Sequence, residues 1–254
     1  MIKAVLISLL PFVYPASLIM PLQAQNVAAL MQQAQALEKA FKDEQALKKY
    51  VEVLKYDPLN IDALCKTSEL YNIVGKRLSG KDEQKKYYKT GEAYARKAIK
   101  LNPNHPEANF AMAISMGRLA LVSSGKDKVA AVKEIKTYAD KCIQLDPKNF
   151  KGYHVLGKWH YEVSDLNSFE RWIVKITYGA LPPSSLDESI KNYEKSKQLA
   201  PGFLLNYLEL AKAYKRKGDT NRARALLEQL QKLPPSASDD VKIKSLGREL
   251  LDDL

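Results

Sequence analysis

The 254-residue sequence predicts an all-α protein built as a solenoid of paired helices, and three observations lead to that prediction. Helix-like segments end repeatedly at a proline, which cannot continue a helix. A pattern of aromatic and small residues recurs after those prolines. The alternation of apolar and polar residues that is typical of strands does not occur after residue 25.

The prolines mark the repeat. Stretches ending in similar sequences, YVEVLKYDP, YARKAIKLNP, YADKCIQLDP, YEKSKQLAP and ALLEQLQKLPP, close at Pro58, Pro103, Pro147, Pro201 and Pro234-Pro235. From Pro201 to Pro235 is 34 residues, which is the length of one tetratricopeptide repeat. The middle units are longer, so they carry insertions.

The residues after two of these prolines match the W-x2-L-G-x2-Y pattern of that repeat. The matching residues are Tyr153, Leu156, Gly157 and His160 in one unit, and Tyr207, Leu210, Ala211 and Tyr214 in the next. His160 therefore fills a slot that normally holds a buried aromatic residue. The predicted fold is a tetratricopeptide-repeat helical solenoid of about five helix pairs, with an inserted amphipathic helix and a C-terminal capping helix.

Three segments divide the chain. Residues 1–25 place Lys3 before an apolar run and a small-residue cleavage site, which predicts a signal peptide, with a retained N-terminal membrane anchor as the alternative. Residues 26–235 are predicted to form the repeat domain, and residues 236–254 the capping helix. We therefore expect an exported protein, periplasmic or secreted, or one anchored to the membrane by its N-terminus.

Composition limits the partners. The chain is 46% hydrophobic and has a formal net charge of +11, which favours acidic proteins or anionic lipids, unless the lysines are only a solvated helical surface. Export argues against nucleic acid. Cys65 and Cys142 lie in amphipathic patterns and are predicted to be buried and free.

No motif predicts catalysis. The sequence has no H-E-x-x-H, no metal-spaced Cys/His set and no G-x-S-x-G, and its 11 glycines form no phosphate-binding loop. We expect no catalytic residues, no metal, no cofactor and no enzymatic activity.

Helical geometry predicts a partner-binding groove, because each residue of a helix turns by about 100°. One face, which lines the concave surface in this architecture, carries Lys151, His154, Lys158 and Tyr161; the corresponding face of the last unit carries Leu205, Leu208, Lys212, Lys215 and Arg216; and an earlier unit adds Phe110 and Ile114. An apolar wall beside cations would suit a protein or peptide of acidic character, or a lipid with an anionic head. Solvated surface charge is the remaining interpretation.

An insertion precedes Pro182-Pro183. Its apolar residues Leu166, Phe169, Trp172, Ile173 and Ile176 share one arc, opposite Arg171 and Lys175, which predicts an amphipathic helix. We expect its apolar face to pack on the solenoid and shape the groove. The alternative is an element that contacts a membrane or a partner.

The run LGKWHYEVSDLNSFERWIVKITYGALPPSSLDESIKNYEKSKQLAPGF resembles the regulator of microtubule dynamics family. The matching places are Gly179, Pro182, Pro183, Ser184, Ser185, Pro201, Gly202 and Phe203. The resemblance implies a helical tetratricopeptide domain without enzymatic activity. Eukaryotic members associate with microtubules, mitochondria or membrane contact sites, some through an N-terminal membrane segment, so a microtubule-associated role is an alternative if the resemblance extends to partners. The bacterial-type export signal is a departure from those members.

Overall fold

The computed structural model describes residues 22–254, apart from the side chains of residues 22–25, Glu170, Ile173 and Tyr178. This part of the chain forms twelve α-helices and no strand. They are α1 (Leu22–Lys39), α2 (Asp43–Tyr56), α3 (Ile61–Lys76), α4 (Lys81–Leu101), α5 (Pro106–Val122), α6 (Gly125–Leu145), α7 (Phe150–Ser164), α8 (Ser168–Tyr178), α9 (Leu186–Leu199), α10 (Leu204–Lys217), α11 (Thr220–Lys232) and α12 (Asp240–Asp252).

The helices confirm the predicted fold class. Five antiparallel pairs follow one another, α1/α2, α3/α4, α5/α6, α7/α9 and α10/α11. Helix α8 is the insertion between the members of the fourth pair, and α12 packs on α10 and α11 as the cap. Residues 1–21, most of the predicted signal peptide, lie outside the described residues. No helix from residue 22 onward combines the length and apolar character needed to cross a membrane.

Prolines and capping residues together set where the helices begin. Asn60 and Asn149, which follow two of the repeat prolines by two residues, each accept a hydrogen bond from the backbone N–H three residues further on, at 3.0 and 3.2 Å. His105 does the same for α5 through its Nδ1, at 3.3 Å. Each proline ends one helix, and the cap satisfies a free N–H at the start of the next.

The core of a pair depends on a small residue facing a large one. Gly157 on α7 lies against the ring of Tyr193 on α9, where an added Cβ would stand 2.6 Å from a ring carbon. The hydroxyl of Ser189 donates a 2.7 Å hydrogen bond to the Gly157 carbonyl. His160 is buried, edge-on to Trp159 with 5.0 Å between ring centroids, as its repeat slot predicts.

Side chains join parts of the solenoid that are far apart in the sequence. Lys151 on α7 reaches Glu107 on α5 at 2.5 Å and also Glu69 on α3 at 3.5 Å, so helices two pairs apart approach on this face. Further along, Asp239 accepts hydrogen bonds from Lys76 and from the Nε of Arg77, both at 3.0 Å.

Two more residues complete this contact. Arg77 also pairs with Asp43 at 2.5 Å, and Ser238 donates to the same Asp43 carboxylate. These five residues, Asp43, Lys76, Arg77, Ser238 and Asp239, are called the closing bridge below. The bridge ties the connection before α12 to the beginning of α2 and the end of α3.

Candidate partner-binding groove

The first helices of successive pairs pack side by side, α3 on α5, α5 on α7 and α7 on α10. In arrays of this kind such a row of helices forms the concave face, which is the candidate groove. The predicted groove residues all lie on these helices, with different exposure. Phe110 and Leu208 are buried, at 5% and 1% exposure, and so support the floor from below. The half-buried residues at the surface are Ile114, Lys151, His154, Tyr161, Lys158, Leu205, Lys212, Lys215 and Arg216.

Lys151 is the centre of the first charge cluster. Its ammonium group lies 4.4 Å from the centroid of the Phe110 ring and bridges the carboxylates of Glu69 and Glu107. Asn149 donates a further 2.8 Å hydrogen bond to Glu107. Burial disfavours the charged lysine, but the two carboxylates outweigh it and raise the pKa of Lys151. Three helices are joined at this point.

His154 joins α7 to α10 as a neutral side chain. Its Nδ1 lies 2.9 Å from Oδ1 of Asn206, whose amide group donates to the Tyr193 carbonyl at 2.8 Å. This arrangement makes Oδ1 the acceptor and assigns the proton to Nδ1. The ring packs against Phe203, with 4.9 Å between centroids, and burial lowers the pKa of His154.

Glu209 on α10 carries the second charge cluster. Its side chain is 9% exposed, and it accepts from Lys158 at 2.7 Å and from Lys212 at 2.8 Å. Burial alone would raise the pKa of this carboxyl group, but the two lysines outweigh it and lower the pKa to about 2. The lysine side chains remain 43% and 36% exposed. Lys158 also pairs at 2.9 Å with Glu162, whose side chain is 59% exposed.

The remaining cations also have partners. The Arg216 guanidinium stacks on Tyr161 at 4.1 Å from the ring centroid, donates to the Tyr161 carbonyl at 2.8 Å and pairs with Asp165 at 3.1 Å. Lys215 pairs with Asp253 at 3.2 Å, near the cap. The cations predicted from the sequence therefore lie on α7 and α10, the first helices of their pairs, and each has a carboxylate partner.

Sequence reasoning missed the carboxylates of this network. Glu69, Glu107 and Glu209 were not among the predicted site residues, although the same helical count places Glu209 on the face of Lys212, three residues away. The signal was present in the pattern. The pairing of Glu69 with α7 depends on the curvature of the whole array, which the local pattern does not contain.

The inserted helix α8 forms as expected, but the prediction that its apolar face packs on the solenoid is wrong for Phe169, Trp172 and Ile176; Leu166, which precedes the helix, does pack against the core. Phe169, Trp172 and Ile176 are 66%, 57% and 65% exposed, while the side chain of Ile173 lies outside the described residues. The opposite face of α8 is the one attached to the rest of the protein. Arg171 donates to the Val163 and Leu166 carbonyls at 2.6 and 3.2 Å, and to Ser184 at 3.0 Å.

The reactive groups outside the groove are few. Cys65 and Cys142 are buried and free, as predicted, and burial raises the pKa of the Cys142 thiol to about 12. Within residues 22–254, no three His, Cys, Asp or Glu side chains are grouped so that they could hold a metal ion.

Five helix pairs around a concave, charge-lined groove define a tetratricopeptide-type helical-repeat protein, a class whose members are in general protein-interaction scaffolds and are generally non-catalytic. The fold agrees with solved structures: a thermophilic tetratricopeptide-repeat protein of Thermus thermophilus superposes with a TM-score of 0.66 at 12% identity, over 89% of this chain and 98% of that one.

The family model described as regulator of microtubule dynamics protein 1-3 matches residues 30–254, so the chain belongs to this family. Regulator of microtubule dynamics protein 1 of Bos taurus is 29% identical over 69% of this chain and 56% of its own length. Protein 3 of Rattus norvegicus is 24% identical over 85% of this chain and 46% of its own length. The chain thus spans about half the length of these relatives. The Caenorhabditis elegans protein 1, 23% identical, is matched over 85% of its length.

Proposed function

We propose that this protein is a non-catalytic adaptor that binds an extended, acidic segment of a partner protein in the concave groove, in an exported setting. The observation that carries the proposal is the arrangement around Glu209. One buried carboxylate lies beneath two lysines whose side chains are 43% and 36% exposed. The buried charge is thus satisfied from within. At the surface Lys158 also pairs at 2.9 Å with Glu162, so Lys212 is the lysine of this cluster that has no second carboxylate partner among the described residues and would meet an acidic ligand.

The shape of the groove supports an extended ligand. Polar links join neighbouring lining helices along its floor: Lys66 to Glu38, Lys151 to Glu107, and His154 to Asn206. These links hold the helices in place before a ligand arrives, which reduces the ordering cost of binding. Apolar side chains such as Ile114 and Leu205 lie between the polar groups and offer contacts to alternate ligand side chains.

The test is affinity capture from the native cell envelope, followed by binding measurements with the isolated partner. A variant with Lys158→Met, Glu209→Met and Lys212→Met removes the cluster without leaving a buried charge unpaired. It should lose the partner. The matched control is Lys195→Met, an exposed lysine on α9 away from the groove. An unchanged affinity of the triple variant, with the protein still folded by circular dichroism, would remove the groove from the proposal.

A second candidate function is membrane association, and the exposed face of α8 favours it. Phe169, Trp172 and Ile176 form an apolar surface of the kind that inserts at a lipid interface, and Lys175 beside them is exposed. Co-sedimentation with phosphatidylglycerol vesicles should fall when these three apolar residues are changed to serine. Equal sedimentation of the parent and the triple-serine variant would exclude this role for α8.

Two further alternatives are open to direct assays. The relatives are named regulators of microtubule dynamics, so co-sedimentation with polymerised tubulin tests a microtubule-associated role. Mass spectrometry of lipid that co-purifies with the protein tests the groove as a lipid site. N-terminal sequencing of the exported protein tests whether the segment of residues 1–25 is removed.

A further inference from the structure

The short segment 236–240, which leads into α12, is folded by one buried carboxylate. Asp240, 2% exposed, accepts hydrogen bonds from the backbone N–H groups of Ser236 and Ala237 at 2.6 and 2.8 Å, and from the Ser236 hydroxyl at 3.1 Å. These bonds lie within the segment itself, so its turn does not depend on the closing bridge for its shape. The turn carries two residues of that bridge toward α2 and α3.

Asp239 stands at the N-cap position of α12, but its side chain makes no capping hydrogen bond there. Aspartate is preferred at this position because its carboxylate can accept from the first free N–H groups of a helix. Here the carboxylate instead accepts from Lys76 and from the Nε of Arg77, at 3.0 Å each. The side chain that could stabilise its own helix is thus used for a distant contact with α3.

Lys76 belongs to the side of α3 that faces the candidate groove. It follows Glu69 by seven residues, which is two helical turns, so both side chains lie on the same side of the helix. Glu69 is the carboxylate that reaches Lys151 of α7 at 3.5 Å. The segment 236–240 therefore contacts cations at one end of the groove face, where an acidic ligand would also be attracted.

The contact is polar and accessible to solvent. The side chains of Lys76, Arg77 and Asp239 are between 24% and 34% exposed, and ion pairs of this exposure contribute little individually. Within residues 22–254, no hydrophobic cluster spans the two sides: the buried apolar residues of α1 to α3 form one cluster, and those of α9 to α12 form another. Since no shared core holds the two sides together, the contact can open without disturbing either cluster.

We infer that the closing bridge is an autoinhibitory contact, in which the segment 236–240 occupies Lys76 and Arg77 as an internal acidic ligand until the acidic segment of a partner replaces it. The inference rests on the proposed adaptor function and adds a regulated part to its binding site. The exchange is balanced in charge. Two cations meet the carboxylates of Asp43 and Asp239, and when Asp239 leaves, one carboxylate of the partner restores the same balance.

The internal ligand also indicates the sequence of the external one. The Ser238 hydroxyl accepts a 2.5 Å hydrogen bond from an Nη of Arg77 and donates to the Asp43 carboxylate. A serine or threonine directly before an aspartate or glutamate would reproduce this hydroxyl contact and the ion pairs together. A partner segment that contains such pairs is therefore the class of ligand that fits Lys76 and Arg77.

The first experiment measures the opening of the contact in the full chain. Spin labels are attached to Ser79→Cys, in the connection after α3, and to Ser245→Cys on α12, both exposed positions, and the distance between them is measured by double electron–electron resonance. We expect an added population at longer distance in Asp239→Asn, but not in Asp127→Asn, at an exposed aspartate of α6. The same distances in the parent and in both variants would overturn the inference.

The second experiment measures binding to the opened site. Anisotropy of a fluorescein-labelled peptide of four Ser-Asp repeats is recorded with the parent, with Asp239→Asn and with Asp127→Asn, which makes the same change of charge elsewhere. Without the internal ligand, Asp239→Asn should bind about threefold to tenfold more tightly than the other two proteins. Adding Lys76→Met to Asp239→Asn should remove this gain, whereas adding Lys195→Met, at an exposed lysine of α9, should keep it.

The outcomes separate this inference from the adaptor function. If all of these proteins bind the peptide with the same affinity, the autoinhibitory contact is wrong and the acidic-segment function stands. A gain in affinity that survives Lys76→Met would also overturn the inference, because the peptide would then not occupy the vacated cations. If none of the proteins binds the peptide, or if a peptide of four Ser-Asn repeats binds equally well, the acidic-segment function fails and the proposed exchange fails with it.

Discussion

The Glu209 cluster makes a prediction whose size can be worked from the structure. The folded protein lowers the pKa of Glu209 from 4.5 to about 2, because Lys158 and Lys212 outweigh the effect of burial. Each pKa unit corresponds to about 1.4 kcal/mol, so the ionised carboxylate stabilises the fold by about 3 kcal/mol at pH 7. Glu209→Gln should remove that amount from the free energy of unfolding.

The sign of the pH dependence follows from the lowered pKa. The stabilisation is fully present above pH 4.5, the ordinary pKa of Glu209, and is lost as the pH falls toward about 2, because the unfolded chain takes up the proton first. At pH 3 the difference between parent and Glu209→Gln should have fallen from about 3 to about 1.5 kcal/mol.

Urea denaturation of both proteins at pH 7, 5, 4 and 3 measures this difference. Glu228→Gln, at an exposed glutamate on α11, is the control and should change stability by less than about 0.5 kcal/mol at every pH. The reasoning fails if Glu209→Gln costs less than about 1 kcal/mol at pH 7. It also fails if the difference is the same at pH 3 as at pH 7.

Three further predictions concern packing, reactivity and the closing bridge. Gly157→Ala should destabilise the protein by about 1–3 kcal/mol, because the new Cβ meets a tyrosine ring at 2.6 Å, whereas Gly117→Ala on α5, where nothing lies within 4 Å, should be neutral or stabilising in the same melts. Native Cys142 should resist iodoacetamide at pH 8 and react only after unfolding, since its pKa is raised to about 12; rapid alkylation of the folded protein would contradict this. Asp239→Asn weakens the bridge to Arg77 and should lower stability by about 1–2 kcal/mol in urea melts, with no change counting against the bridge.

The fold was predictable because its determinants are local. A proline ends a helix, and an asparagine such as Asn60 or Asn149 caps the next two residues later, so each boundary is encoded within a few positions. The position of the small residue Gly157 opposite a large tyrosine ring, and the burial of His160, follow from helical periodicity alone. None of these features requires knowledge of the global shape.

The groove was predictable only in part. The helical count placed Lys151, Lys158 and Lys212 on the lining helices, but their charge balance depends on carboxylates brought close by curvature. Glu69 is 82 positions from Lys151 along the chain, and their contact is fixed by the accumulated crossing angles of several helices. The local periodicity of the sequence carries no information about how these crossing angles add up.

The cap and the insertion show another limit of periodicity. An amphipathic pattern tells which residues share a face of a helix, but not which face packs against the rest of the protein. In α8 the hydrogen bonds of Arg171 to backbone carbonyls decide the question, and the apolar face points outward. In α12, Ile243 and Gly247 pack inward, while Val241, an apolar residue of the same helix, is 71% exposed.

The closing bridge has a mechanical consequence. An open array of repeats behaves as a spring, because small changes at each repeat interface add up to a large change in pitch and diameter. Here Asp239, in the connection before the C-terminal helix α12, forms ion pairs with Lys76 and Arg77 at the end of α3. A change in pitch that moves these two parts of the chain apart would have to break these ion pairs. While the ion pairs of the closing bridge are intact, they restrict this motion. Breaking them would allow the helical array to open and close.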